Sequence, residues 1–102
     1  MLELRPTCEH CGKALPPAST DAMICSFECT FCRDCASALL ENVCPNCGGG
    51  FTPRPIRPAR NWKGENCVGK YPPGTKVKSR PVDPEVHRQF AAAIKEVAPE
   101  QR

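Results

Sequence analysis

Three observations predict a small metal-stabilised α+β fold, cross-braced around two four-cysteine sites and carrying a Pro-rich basic arm and a C-terminal helix. Eight of the nine cysteines fall as four close pairs between Cys8 and Cys47. Leu, Ile, Val and Phe number only 18 in 102 residues, too little aliphatic material for an ordinary core. A chain this short then needs disulfides, metal or a partner to offset its conformational entropy. Third, the prolines concentrate beyond the cysteines, and the last twenty residues show helical periodicity.

Compartment decides between disulfides and metal. The opening segment Met1-Leu2-Glu3-Leu4-Arg5-Pro6 has no basic n-region, no apolar h-region and no small-residue cleavage site, so the expectation is a cytoplasmic chain. Thiols at short fixed spacings in a reducing cytosol read as metal ligands, and an odd cysteine total fits complete pairing poorly. No apolar run approaches the ~18 residues that span a bilayer.

Composition divides the chain into a cysteine-rich domain (1–50), a Pro-rich basic arm (51–82) and a helical tail (83–102). The net charge of +3 hides an asymmetry: residues 1–50 hold three Lys/Arg against six Asp/Glu, and residues 51–80 hold eight against one. Two tetrathiolate sites, each with four negative sulfurs around a dication, would take the first segment to about −7. The metallated chain is thus bipolar.

In the first segment the ligand string is Cys8-x2-Cys11-x13-Cys25-x3-Cys29-x2-Cys32-x2-Cys35-x8-Cys44-x2-Cys47. A two-residue gap lets both sulfurs of a pair reach one zinc at ~2.3 Å, and four pairs make two closed tetrahedral sites. Gly12 and Gly48 follow the pairs Cys8/Cys11 and Cys44/Cys47, marking zinc knuckles in which glycine at positive φ aims backbone N–H groups at thiolate. Cys32/Cys35 instead runs into Ala36-Ser37-Ala38-Leu39-Leu40-Glu41, a short helix former whose N-terminus favours thiolate. A knuckle joined to a helix start is the treble-clef arrangement. On that reading Cys8, Cys11, Cys32 and Cys35 hold one zinc, and Cys25, Cys29, Cys44 and Cys47 hold the other. Sequential pairing, Cys8/Cys11/Cys25/Cys29 with Cys32/Cys35/Cys44/Cys47, is the alternative.

The cross-braced spacing also resembles the RING finger with cysteine at every ligand position. A RING-type ubiquitin-ligase-like adaptor is therefore one rival function. Glu9 and Gly48 stand where such surfaces usually carry an aliphatic residue and a cation. An iron–sulfur protein is another rival, because Cys29-x2-Cys32-x2-Cys35 and Cys44-Pro45 echo a bacterial ferredoxin run. The gap of eight residues before Cys44 breaks that pattern.

Three segments carry a closer resemblance: Met1–Pro6, Ile24-Cys25-Ser26-Phe27-Glu28-Cys29-Thr30-Phe31-Cys32, and Cys44-Pro45-Asn46-Cys47-Gly48-Gly49. Across residues 1–58 the chain resembles a bacterial family of small cysteine-rich proteins classed as a domain of unknown function. The resemblance implies a bacterial source and a zinc-binding module, and no substrate.

In the arm, Pro53, Pro55, Pro58, Pro72, Pro73 and Pro81 imply extended or polyproline-like segments. Its charge complements the acidic core, so the arm is expected to pack on that core, held as much by Ile56, Trp62, Tyr71 and Val77 as by ion pairs. Its eight cations, interleaved with Trp62 and Tyr71, also permit nucleic-acid binding. Cys67 reads as a spectator thiol. In the tail, Asp83 is a good N-cap and Pro84 suits the first turn, and apolar residues then recur at helical spacing until Pro99. This predicts a helix over 84–98 that docks through Phe90 and Ile94. His10 and His87 are not needed as ligands. With no nucleophile beside a base, no phosphate loop and no site short of ligands, the expectation is a non-enzyme. Its role would be a protein-interaction or self-associating module with no small-molecule substrate and no membrane partner.

Overall fold

Short stretches of β-structure flank the Cys25–Cys29 turn and open the arm. The computed structural model describes residues 1–102, and its elements are few. Strand β1 (Ala22–Ile24) runs antiparallel to β2 (Thr30–Cys32), with Ala22 opposite Cys32 and Ile24 opposite Thr30. The hairpin tip is closed by Cys25 N–H donating to the Cys29 carbonyl at 3.2 Å. A two-residue strand, β3 (Thr52–Pro53), pairs antiparallel with the other edge of β1, giving the order β2-β1-β3. A proline is tolerated there because β3 is an edge strand. The arm is thus less irregular at its start than its prolines imply. After β2 the chain enters one wide helical turn, Cys35–Leu39, in which Leu40 N–H reaches the Cys35 carbonyl at 2.8 Å.

Sulfur makes up much of what these elements enclose. Of the eleven residues in the core cluster five are cysteines, the rest being Leu15, Ala22, Phe31, Ala36, Leu40 and Phe51. Phe31 and Phe51 meet edge to face, with centroids 5.5 Å apart. So small an apolar cluster leaves the cysteines to supply the cohesion.

The arm does pack along the core, but by different means from those expected. Arg54, only 3% exposed, donates to the carbonyls of Arg5, Leu15 and Pro16 at 2.9, 3.1 and 3.0 Å. Arg57 donates to the carbonyls of Leu2 and Tyr71, both at 2.7 Å. Further along, Gly74 N–H reaches the Leu4 carbonyl and Arg80 N–H the Glu9 carbonyl. One arm cation pairs with a core carboxylate, Lys78 with Glu3 at 3.7 Å. Three of the four apolar residues expected to hold the arm do not, Trp62 being 75% exposed and Ile56 and Val77 more than half exposed, whereas Tyr71 is half-buried. A guanidinium can satisfy several carbonyls at once through its planar fork, whereas exposed ion pairs return little.

Helix α1 (Pro84–Ile94) begins as anticipated, with the Asp83 carboxylate accepting from Glu85 and Val86 N–H. It ends four residues before the predicted 98. Ala98 precedes a proline and adopts an extended ψ of 138°, which a helix cannot continue through, and Pro99–Gln101 forms a separate turn. The face that α1 buries is also shifted, since His87 and Ala91 are buried whereas Phe90 is 45% exposed. His87 Nε2 donates to the Leu40 carbonyl at 3.0 Å. Phe90 and Ile94 lean over Gly48. No helix is long and apolar enough to cross a membrane.

The buried guanidinium yields a test. Arg54→Ala would strand three carbonyls, that of Leu15 in a buried position, and is expected to cost about 2 kcal/mol in denaturant unfolding. Arg54→Lys should recover less than half of that, because one ammonium cannot match the fork. Trp62→Ala should stay within about 0.5 kcal/mol.

Candidate metal centre

The two knuckles share one local geometry. In the first, Cys8 N–H donates to the Lys13 carbonyl at 2.9 Å and Gly12 N–H to the Cys8 carbonyl at 3.0 Å. In the second, Cys44 N–H donates to the Gly49 carbonyl and Gly48 N–H to the Cys44 carbonyl, both at 2.8 Å. Gly12 and Gly48 have φ of 77° and 78°, a region that glycine enters without steric cost. That turn directs amides onto sulfur: Cys11 N–H faces Cys8 Sγ at 3.5 Å, Asn46 N–H faces Cys44 Sγ at 3.5 Å, and Gly49 N–H faces Cys47 Sγ at 3.4 Å. The hairpin tip does the same, with Phe27 N–H 3.3 Å from Cys25 Sγ. Such donors stabilise thiolate, the form that binds metal.

Tertiary structure then gathers the pairs. Cys8, Cys11, Cys32 and Cys35 come together with all four Sγ atoms within 4.8 Å of one another. The first knuckle supplies two of them, the end of β2 the third and the start of the wide turn the fourth. Cys25, Cys44 and Cys47 form a second group within the same limit, drawn from the hairpin tip and the second knuckle. Cys29 falls outside that limit. It is buried, 3.4 Å from Asn46 Nδ2, and a charge on it acts on Cys44. Cys67 lies remote from both groups, buried in the arm where its carbonyl accepts from Tyr71 N–H.

The donor sets fit a thiophilic ion. A tetrahedron with ~2.3 Å metal–sulfur bonds has edges of about 3.8 Å. Cys11 Sγ and Cys32 Sγ are 3.8 Å apart, far beyond a disulfide bond. Without an ion the clusters are electrostatically costly. Burial pushes the Cys35 thiol well above its ordinary range, and the Cys32, Cys8 and Cys11 sulfurs push it further. Cys44 is raised by burial and by the charges of Cys29 and Cys25, against the opposing amides of Asn46 and Cys47. Cys32 is likewise raised, first by burial. For Cys8 burial acts in the same direction, but the amides of Cys11, Cys32 and His10 outweigh it and bring the thiol down.

Three supporting residues had no legible signal. Glu9, 1% exposed, lies inside the first knuckle; its carboxylate pairs with Arg5 at 2.8 Å and accepts from Thr30 N–H, while its own N–H donates to the Thr30 carbonyl at 3.0 Å. It therefore ties the turn after Cys8 to the residue after Cys29. His10 Nδ1 accepts from Val82 N–H at 2.9 Å, fixing the end of the arm to the same knuckle. Arg54 is the third. A sequence pattern reports spacing and polarity, and these joints depend on backbone groups distant in sequence.

Comparison with known proteins places this geometry in a lineage. A family model described as a protein of unknown function, DUF1272, matches residues 1–57. An uncharacterized protein, R02474, from Rhizobium meliloti (strain 1021) is 56% identical over 75 residues, covering 74% of this chain and 82% of its own length. No solved structure matches the chain. The matched residues include all eight clustered cysteines, both knuckle glycines and the Arg54 anchor, and the chain belongs to the DUF1272 family.

Proposed function

We propose that the chain is a non-catalytic, zinc-structured interaction module of the cytoplasm, in which two zinc ions replace the missing apolar core. Cys8, Cys11, Cys32 and Cys35 would hold one ion, and Cys25, Cys44 and Cys47, completed by Cys29, the other. The observation that carries the reading is the four-sulfur group in which every Sγ lies within 4.8 Å of the rest, served by inward-facing amides. Bound zinc supplies charge neutralisation and cross-linking, and a closed four-sulfur set leaves no position for water or substrate. The interleaved ligands and the knuckle leading to a helical turn support a cross-braced, treble-clef description. The displayed elements are the arm and α1, and they are the surfaces offered to a partner.

Native mass spectrometry should find two zinc ions per chain, and X-ray absorption should find four sulfurs at ~2.3 Å. Iron–sulfur absorption near ~400 nm, or one ion, would reject the reading. Replacing Cys8 and Cys11 together by serine should cost the first ion, and so should replacing Cys32 and Cys35. Loss of the same ion from a Cys8/Cys11 variant and a Cys25/Cys29 variant would instead establish sequential pairing.

Proton release gives an independent measure. A thiol of ordinary pKa ~8.5 is almost wholly protonated at neutral pH, and burial raises Cys35 and Cys44 further. Each zinc should therefore displace close to four protons, roughly one per sulfur, in weakly buffered solution at neutral pH. Affinity should rise with pH, because protons and zinc compete for the same sulfurs. Release of about two protons per ion would indicate that half of the sulfurs are not ligands.

A further inference from the structure

The arm cations divide into two classes. Arg54 and Arg57 are turned inward onto carbonyls. Arg60 and Lys63 are exposed, and neither takes part in any of the seven ion pairs of the chain. Between them stands Trp62, 75% exposed. An unburied tryptophan is ordinarily the mark of a floppy segment, but this loop is built. Val68 N–H closes it on the Pro58 carbonyl at 2.9 Å, Asn61 Oδ1 accepts from Glu65 N–H at 2.9 Å, and Asn66 N–H reaches the Lys63 carbonyl at 3.1 Å. Gly64 and Glu65 turn the tip with φ of 60° and 61°. Beneath it, Pro58 and Asn66 border an open apolar cleft of about 320 Å³, floored by Leu2, Ile56 and Tyr71. Lys70 lines an adjoining hollow, 5.8 Å over the Tyr71 ring and 3.5 Å from the exposed Glu65 carboxylate.

We infer that this loop and cleft bind single-stranded nucleic acid, with Trp62 stacking on a base while Arg60, Lys63 and Lys70 contact phosphates. The inference deepens the interaction-module reading and rests on it, because the core bears the arm. Charge selects a polyanion: residues 51–80 hold eight Lys/Arg against one Asp/Glu. The aromatic selects one with exposed planar faces, since a base can stack on the exposed ring carried by this closed loop. A duplex hides those faces. A lipid surface fits poorly, because Trp62 is flanked by Arg60, Asn61, Lys63, Gly64 and Glu65 and brings no aliphatic neighbour to insert.

Trp62 is the sole tryptophan, so its fluorescence reports this loop alone. A short oligothymidylate added to the zinc-loaded full chain should quench it, with log affinity falling against log salt at a slope of about −2 for three phosphate contacts. Anisotropy of a labelled oligonucleotide should show Trp62→Ala weakening binding by about tenfold or more, and Lys63→Glu by a similar factor. Arg88→Ala should leave it unchanged. Absence of quenching, equal affinity for a duplex of the same length, or tighter binding of polyglutamate or phosphatidylglycerol vesicles would overturn the inference. Metal content measured on the same sample separates the two claims: zinc-loaded protein that fails to bind refutes this one alone, and protein that never holds zinc refutes the module on which it rests.

Discussion

Sulfur held close to sulfur is the constraint to which the rest of this fold answers. Seven thiols gather at two points, with Cys29 buried beside the second, and five of these eight cysteines make up nearly half of the eleven-residue core cluster. Left to themselves such thiols resist ionisation together, as the raised Cys35 and Cys44 show. The backbone is shaped to lower that cost. Each knuckle spends a glycine at positive φ to aim an amide inward, and the hairpin tip repeats the arrangement with Phe27.

Around those points the polypeptide is laid on by hydrogen bonds to backbone, more than by apolar burial. Arg54 and Arg57 bind five carbonyls spread over the N-terminal segment, the Pro16 turn and the arm itself. His10 and His87 do the same for the end of the arm and the first turns of α1, one receiving Val82 N–H and the other holding the Leu40 carbonyl. Proline-rich chain suits this construction, because it enters the folded state with less backbone entropy to lose and leaves few amides of its own to satisfy.

How much of this was legible follows from what each feature depends on. The knuckles were readable, since spacing and a following glycine are local and specify one turn. The start of α1 was readable for the same reason, Asp83 and Pro84 being a local cap. Its end was overshot because Val97 continues the apolar periodicity beyond Ile94, where the helix stops, while Ala98 ahead of Pro99 is extended. The docking of the arm was misjudged most. Composition made Trp62 an anchor and did not single out Arg57 among the eight arm cations, whereas the structure exposes Trp62 and seats Arg57 on two carbonyls. Hydrophobicity foretells burial only where a surface exists to receive the side chain, and the carbonyl targets of Arg54 and Arg57 are invisible in a string of side-chain types. Cys29, which the spacing groups with Cys25, Cys44 and Cys47, lies outside the limit those three share and takes a hydrogen bond from the Asn46 side chain.

The interleaved order of the cysteines has a topological consequence. Cys25 belongs with Cys44 and Cys47, and Cys8 and Cys11 belong with Cys32 and Cys35, so each group reaches over part of the other. A single backbone break at Ser26–Phe27, on the exposed tip of the hairpin, would leave ligands of both groups on each side of the cut. The two pieces would share two ions, three short strands and the Glu9–Thr30 clasp. Such a chain is suited to fragment complementation: its halves would be inert apart, would reassemble when metal is supplied, and would come apart again when it is withdrawn.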